Sequence, residues 1–184
     1  MSLIWANDFY EIPKTIEEND FIRGRMMELI NSKNIPGKAL EGGDRVAKFK
    51  GILNELVSYQ LSLDEAYKKT STILSRMESI YSENNRVFPT GWEERLVRTN
   101  FSKLYNQSVL YSIIESGNSD CHIPHSIYED ANSPCSLNAG RNFNAQILLD
   151  RLESAYDDGN FTKDFKVPHH PQCTHVVRPI ENIV

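Results

Sequence analysis

The chain has 184 residues, 40% of them hydrophobic and 24% charged, with a net charge of −5, which describes one ordinary globular core. No apolar run approaches the roughly 20 residues that span a bilayer, and the acidic balance speaks against tight nonspecific nucleic-acid binding over the whole surface. Three cysteines cannot all pair, and the start lacks the basic and apolar regions of a secretory signal, so a reducing compartment is expected. The charge is uneven, with 15 Lys/Arg against 16 Asp/Glu in residues 1–117 and 5 against 9 in residues 118–184.

The first dozen residues, through Pro13, hold Ile4, Trp5, Phe9, Tyr10 and Ile12 without a clear period. Such an arm folds back onto its own core, the commoner case, or docks on a neighbour. Its aromatics make it the best candidate contact for a partner. Residues 19–31 predict a first helix, with Phe21, Ile22, Met26, Leu29 and Ile30 as its apolar set, broken by Asn34-Ile35-Pro36-Gly37. Asp44 is a candidate N-cap for a second helix, in which Val46, Phe49, Leu53, Leu56 and Val57 recur at helical spacing. Ser62-Leu63-Asp64-Glu65 reads as a capping box opening a third helix, with Ala66, Ile73, Met77, Ile80 and Tyr81 on its inner face. Thr90-Gly91-Trp92-Glu93 reads as a second box, opening a fourth helix with Val97, Phe101, Leu104 and Tyr111 inward and Gly117 as its stop.

After Gly117 the texture changes. Residues 118–144 are rich in Asn, Ser, Pro and Gly and predict loops with short strands. Ile147, Leu148, Leu152, Ala155 and Tyr156 predict one more helix, ended near Asp158-Gly159, and Val176-Val177 suggests a late strand. The fold class expected is α+β. One domain covers residues 1–184, as a helical part over 1–117 and a compact, loop-rich module over 118–184.

Every cysteine and histidine falls in that module: Cys121, His122, His125, Cys135, His169, His170, Cys173 and His175. Thiolate and imidazole are zinc's preferred ligands, and about four must meet at one point. Cys173 and His175 are two residues apart, so an extended backbone puts them on one side. With Cys135 they make three of four, and Cys121 is the first candidate for the fourth, with His122 or His125 as alternates. The plainer alternative makes Cys135 and Cys173 small buried hydrophobes and the histidines turn caps. Catalysis has little support. There is no glycine-rich phosphate loop and no H-E-x-x-H. The zinc-deaminase pattern fails because Asn138 stands where its second cysteine belongs.

Three stretches, taken in order, resemble the phage head morphogenesis proteins, the minor capsid group that includes the Mu F-like proteins. Arg98-Thr99-Asn100 is similar to that family's arginine-threonine-glutamate motif in a long helix. Cys135-Ser136-Leu137-Asn138-Ala139-Gly140 is similar to its cysteine-to-glycine loop. Pro168-His169-His170-Pro171-Gln172-Cys173-Thr174-His175 is similar to its closing histidine-proline-asparagine-cysteine-arginine-cysteine signature. The likeness covers roughly residues 62–180. Asn100 replaces the usual acid, Asn132 stands where the first loop cysteine often occurs, and His175 replaces the last cysteine.

The resemblance implies a non-enzymatic virion protein, made in the host cytoplasm and acting near the portal during head assembly and DNA packaging or ejection. Its implied partners are the portal or major capsid protein, with packaged DNA a further candidate, and neither a membrane nor a small-molecule substrate. Arg98, Thr99 and His170 are its motif residues, and zinc is its candidate cofactor. The alternatives are a small zinc- or Cys-dependent enzyme or toxin-like effector, and a soluble DNA-binding module.

Overall fold

The computed structural model describes residues 4–181. Its helices are α1 (Ile12–Glu18), α2 (Asp20–Ser32), α3 (Arg45–Val57), α4 (Leu63–Ile73), α5 (Trp92–Glu115) and α6 (Ala145–Tyr156). The strands β1 (Asp120–Ile123), β2 (Arg141–Asn144) and β3 (Arg178–Pro179) form one antiparallel sheet in the order β2-β1-β3. The architecture is α+β, largely helical, with the small sheet in the C-terminal module.

Helix α5 is the hub, packing against α2, α4, α6 and the sheet. It is buried on nearly every side from Val97 to Leu110, so its polar residues must find partners inside. Lys103 Nζ and Gln107 Nε2 both donate to Asp157 at the end of α6, at 3.0 and 2.9 Å. Asn106 Oδ1 accepts from Val177 N at 2.8 Å. Burial lowers the Lys103 pKa, and the adjacent Asp157 opposes that shift. The apolar core is one cluster running from Ala6 to Val177, drawing on both the helices and the module.

The helix ends follow local chemistry. Ser62 and Glu65 cap α4 reciprocally, as the box requires. Gly117, at φ +83°, closes α5: its N–H donates to Ile114 O at 3.0 Å, and the next N–H, of Asn118, reaches Ile113 O at 3.2 Å.

Other sequence expectations need correcting. The third helix stops at Ile73, because the buried Arg45 guanidinium takes the carbonyls of Leu74 and Ser75 at 2.7 and 3.1 Å. Met77 and Ile80, assigned to its inner face, are 78% and 71% exposed. The second capping box does not form. Gly91 is the N-cap of α5, in the left-handed conformation, with no side-chain bond. Asp44 occupies the N-cap of α3 but pairs with Lys48 at 3.1 Å instead of capping. Phe21 and Ile147 point outward. Val176 and Val177 are fully buried, and strand pairing begins only at Arg178.

The N-terminal arm belongs to the core. Ala6, Phe9 and Ile12 are completely buried. Ala6 N donates to Tyr105 Oη at 3.0 Å and Phe9 N to Thr174 O at 2.8 Å. Among its described large apolar residues, only Ile4 and Tyr10 are substantially exposed.

Candidate metal centre

Two irregular segments build the site: the β1–β2 connection, residues 124–140, and the closing segment, residues 168–175. Gly140 anchors the first. Its N–H donates to Ile123 O at 2.7 Å, its φ is +73°, and a Cβ there would lie 2.3 Å from His125 Nε2. Only glycine suits both the angle and the space. Ser126 Oγ meets Thr174 Oγ1 at 2.7 Å, and Glu129 Oε1 accepts from Thr174 N at 2.6 Å, which pins the connection to the closing segment. From the other side, Tyr156 Oη donates to Pro168 O at 3.0 Å and Arg98 Nη2 to Gln172 O at 3.3 Å.

This clamping brings Glu129, Cys135, His170 and Cys173 together, with one ligand-type atom from each within 4.8 Å of all the others. The sulfurs of Cys135 and Cys173 are 3.9 Å apart. A tetrahedral ion with metal–sulfur bonds near 2.3 Å separates two sulfurs by about 3.8 Å, so the spacing suits a shared ion. The buried His175 adds a fifth donor, its Nδ1 lying 4.0 Å from Cys173 Sγ and 3.9 Å from Glu129 Oε1. Its Nε2 is buried without a partner. The cluster can therefore hold a metal ion.

The two histidines are not equivalent. His170 Nδ1 accepts from Gln172 N at 3.2 Å, so in the neutral ring the proton sits on Nε2, which faces Glu129 Oε2 at 3.6 Å. Binding an ion through that Nε2 moves the proton to Nδ1, against the Gln172 N–H. Binding through His175 Nδ1 instead leaves the proton on Nε2, which is buried without a partner. The hydrogen bond between the sulfurs lowers the Cys173 pKa well below its usual value and raises that of Cys135. Cys173 is thus the sulfur disposed to be the thiolate, the form that metals and oxidants meet.

Cys121, the first candidate for the fourth ligand, lies elsewhere. It faces the interior from β1 with its thiol toward Phe143 O at 3.4 Å, and burial pushes its pKa up to about 12. His122 Nδ1 bonds Asn142 Oδ1 at 2.8 Å, and His125 lies over Gly140. Antiparallel pairing with β2 engages both Cys121 and His122. Glu129 lies outside the ligand set expected from the sequence, because one carboxylate among many signals zinc less than sulfur or imidazole does; its position six residues before Cys135 is the available signal. Asn132, where the resemblance expects a cysteine, is exposed.

Beside the cluster lies a cavity of about 330 Å³, lined by Thr99 and Asn100 of α5, Tyr156, Phe161, His169 and His170, among others. Burial lowers the pKa of His169, and its Nδ1 has no partner. Arg98 is buried over the Phe9 ring, 4.7 Å from its centroid, and contacts Glu94 at 3.4 Å. Its Nε is unpaired. No family model, curated protein or solved structure matches the chain.

Proposed function

We propose that the protein is a minor head component of a phage, incorporated near the portal during head assembly in the host cytoplasm, and that its Cys/His centre holds one zinc ion as a structural clasp. The convergence of three distant sequence stretches carries this reading. Arg98 bonds the carbonyl of Gln172, Cys135 lies 3.9 Å from Cys173, and Thr99 and His170 line one cavity. Arg98-Thr99, the Cys135 loop and the 168–175 segment are the stretches that resemble the head morphogenesis family. A likeness made of unrelated fragments has no reason to converge this way.

Two thiols beside imidazole and carboxylate favour zinc over the hard cations. Cys135, Cys173 and His175 are at most 2% exposed, and the Glu129 side chain is 7% exposed. That closure suits a structural site, whereas a catalytic one keeps a position open. The zinc ligands in this reading are Cys135, Cys173 and Glu129 with one imidazole, that of His170 from the converging four or that of the adjoining His175. Bound zinc neutralises the thiolates and ties the β1–β2 connection to the closing segment. Protein purified without a histidine tag is expected to contain about one zinc per chain, lost in Cys173→Ser.

The portal or major capsid protein is the expected partner, with packaged DNA a further contact. The test is co-expression with the portal and major capsid proteins of the same genome. Procapsids are expected to carry the protein. If heads assemble and fill normally without it, and it never sediments with them, the reading fails. The cavity beside His170 favours one rival, a small zinc-dependent enzyme. Saturable hydrolysis abolished by Cys173→Ala in a folded protein is the result that installs it.

A further inference from the structure

We infer that Cys135 and Cys173 are a redox-modification site: a peroxide-class oxidant converts them to a disulfide that replaces the metal as the clasp. The clasp itself rests on the reading above, but the cross-link needs only the two sulfurs. They lie 3.9 Å apart, from residues 38 positions apart in the chain. Bonding requires an approach to about 2.05 Å. Neither cysteine is in a helix or strand: Cys135 precedes the single 3-10 turn Ser136–Asn138, and Cys173 closes a turn through its N–H to His170 O at 3.0 Å. No helical or sheet ladder has to break for the sulfurs to meet.

The surroundings suit the chemistry. His175 Nδ1 lies 4.0 Å from Cys173 Sγ, so a polar nitrogen adjoins the attacking sulfur. His170, a member of the same cluster, has a side chain 36% exposed and lines the adjoining cavity, and hydrogen peroxide is small and neutral enough to approach from that side. The Cys173 sulfur attacks one peroxide oxygen and the O–O bond breaks. This gives a sulfenic acid and a hydroxide, which leaves as water with the Cys173 proton. The Cys135 sulfur then displaces the sulfenic oxygen, which leaves as a second water with the Cys135 proton. Two thiols and one peroxide become one disulfide and two waters. Having Cys135 adjacent as the resolving thiol traps the sulfenic acid before further oxidation. In the reducing cytoplasm the thiols remain available to a metal. In an oxidising medium the disulfide ties the same two segments covalently and releases the ion.

The experiment uses the full chain without a tag, reduced, stripped by a chelator and exposed to hydrogen peroxide. Free thiols are expected to fall from three to one, with the chain still monomeric on a non-reducing gel. Peptide mapping should join Cys135 to Cys173, and dithiothreitol should reverse the change. Cys121→Ser should cross-link equally well, leaving no free thiol. A disulfide involving Cys121, cross-linked dimers, or sulfinic acid at Cys173 without a bridge overturns the inference. The map of the unmodified chain decides the matter even if Cys135→Ser or Cys173→Ser fails to fold. Zinc in the untreated protein is measured separately. Zinc-free protein that cross-links upholds the pair and removes the zinc reading. Zinc-bearing protein that does not cross-link after stripping removes the pair and leaves the zinc reading intact.

Discussion

The helices before residue 116 and the module after it solve the problem of burial differently. In the helical part, Ile22, Met26, Phe49, Leu53, Phe101 and Leu104 are each at most 1% exposed, and cohesion is shared among many apolar contacts that each tolerate small change. The module has strands of four, four and two residues and one helix of twelve. Its helix and Val176-Val177 join the common apolar core, but its irregular segments depend on point contacts such as Glu129 to Thr174 N, Arg98 to Gln172 O and sulfur to sulfur. Distributed burial gives a periodic sequence signal and a gradual response to mutation. Point contacts give neither, so single substitutions there should act abruptly.

The joint between the regions is where the largest effect is expected. The side chains of Lys103 and Asp157 are 1% and 7% exposed and pair at 3.0 Å, with Gln107 on the second carboxylate oxygen. Asp157→Ala leaves an ammonium in the core without its counter-charge, and should cost about 3–5 kcal/mol by urea denaturation. The double change Lys103→Met with Asp157→Leu removes both charges and should cost far less. A loss below about 1 kcal/mol for Asp157→Ala means that the pair does not lock α6 to α5.

Legibility follows periodicity. Helices α2 to α6 are readable because one-sided burial imposes a 3.6-residue period, and the Ser62–Glu65 box marks a true start, whereas the short α1 has no clear period. Ends set by distant groups were not readable: nothing local to residues 73–81 reveals that Arg45 takes the carbonyls of Leu74 and Ser75. The arm's folding back is the commoner expectation for such a segment, but its anchors Tyr105 and Thr174 lie far along the chain and leave no local signal. In the module, chemical type points to Cys135, Cys173 and His175, while His170 enters only as a motif residue of the resemblance. Choosing the remaining donor required the path of the 124–140 connection, which has no period. That path selects Glu129 and sends Cys121 into β1.

A smaller effect should appear at high pH. Burial raises the pKa of Tyr105, in the middle of α5, and of Tyr156, whose hydroxyl bonds the closing segment. An unfolded tyrosine titrates near 10. Between that pH and the raised folded value, the unfolded chain has released a proton that the native chain keeps. Stability should therefore be unaffected by these groups below about pH 10 and fall as the pH rises past it. Tyr105→Phe, measured by denaturation midpoints across that range, should flatten the fall. An unchanged slope means that Tyr105 does not contribute, and Tyr156→Phe then tests the module's share.

The smallest effect on stability, and the sharpest test of what the module is for, is expected at its surface. Ile127 is 88% and Tyr128 57% exposed, and Tyr128 packs edge-on against Tyr10, with ring centroids 4.8 Å apart. With Phe9 buried, Tyr10 and Ile4 are the large apolar residues that the described part of the arm still exposes, and Tyr128 of the module packs on the first of them. Met77 and Ile80 are equally bare on the helical side, which provides an internal control. Ile127→Asp and Ile80→Asp should each change stability by no more than about 0.5 kcal/mol, because neither side chain supports the core. If the module is the partner-facing half, Ile127→Asp should weaken association with the portal or major capsid protein about tenfold, a loss near 1.4 kcal/mol, while Ile80→Asp leaves it unchanged. The reverse pattern moves the contact to the helical half and leaves the module as a clasp alone. Equal weakening by both would mean that the partner spans the two regions, so that the joint at Asp157 also positions one face relative to the other.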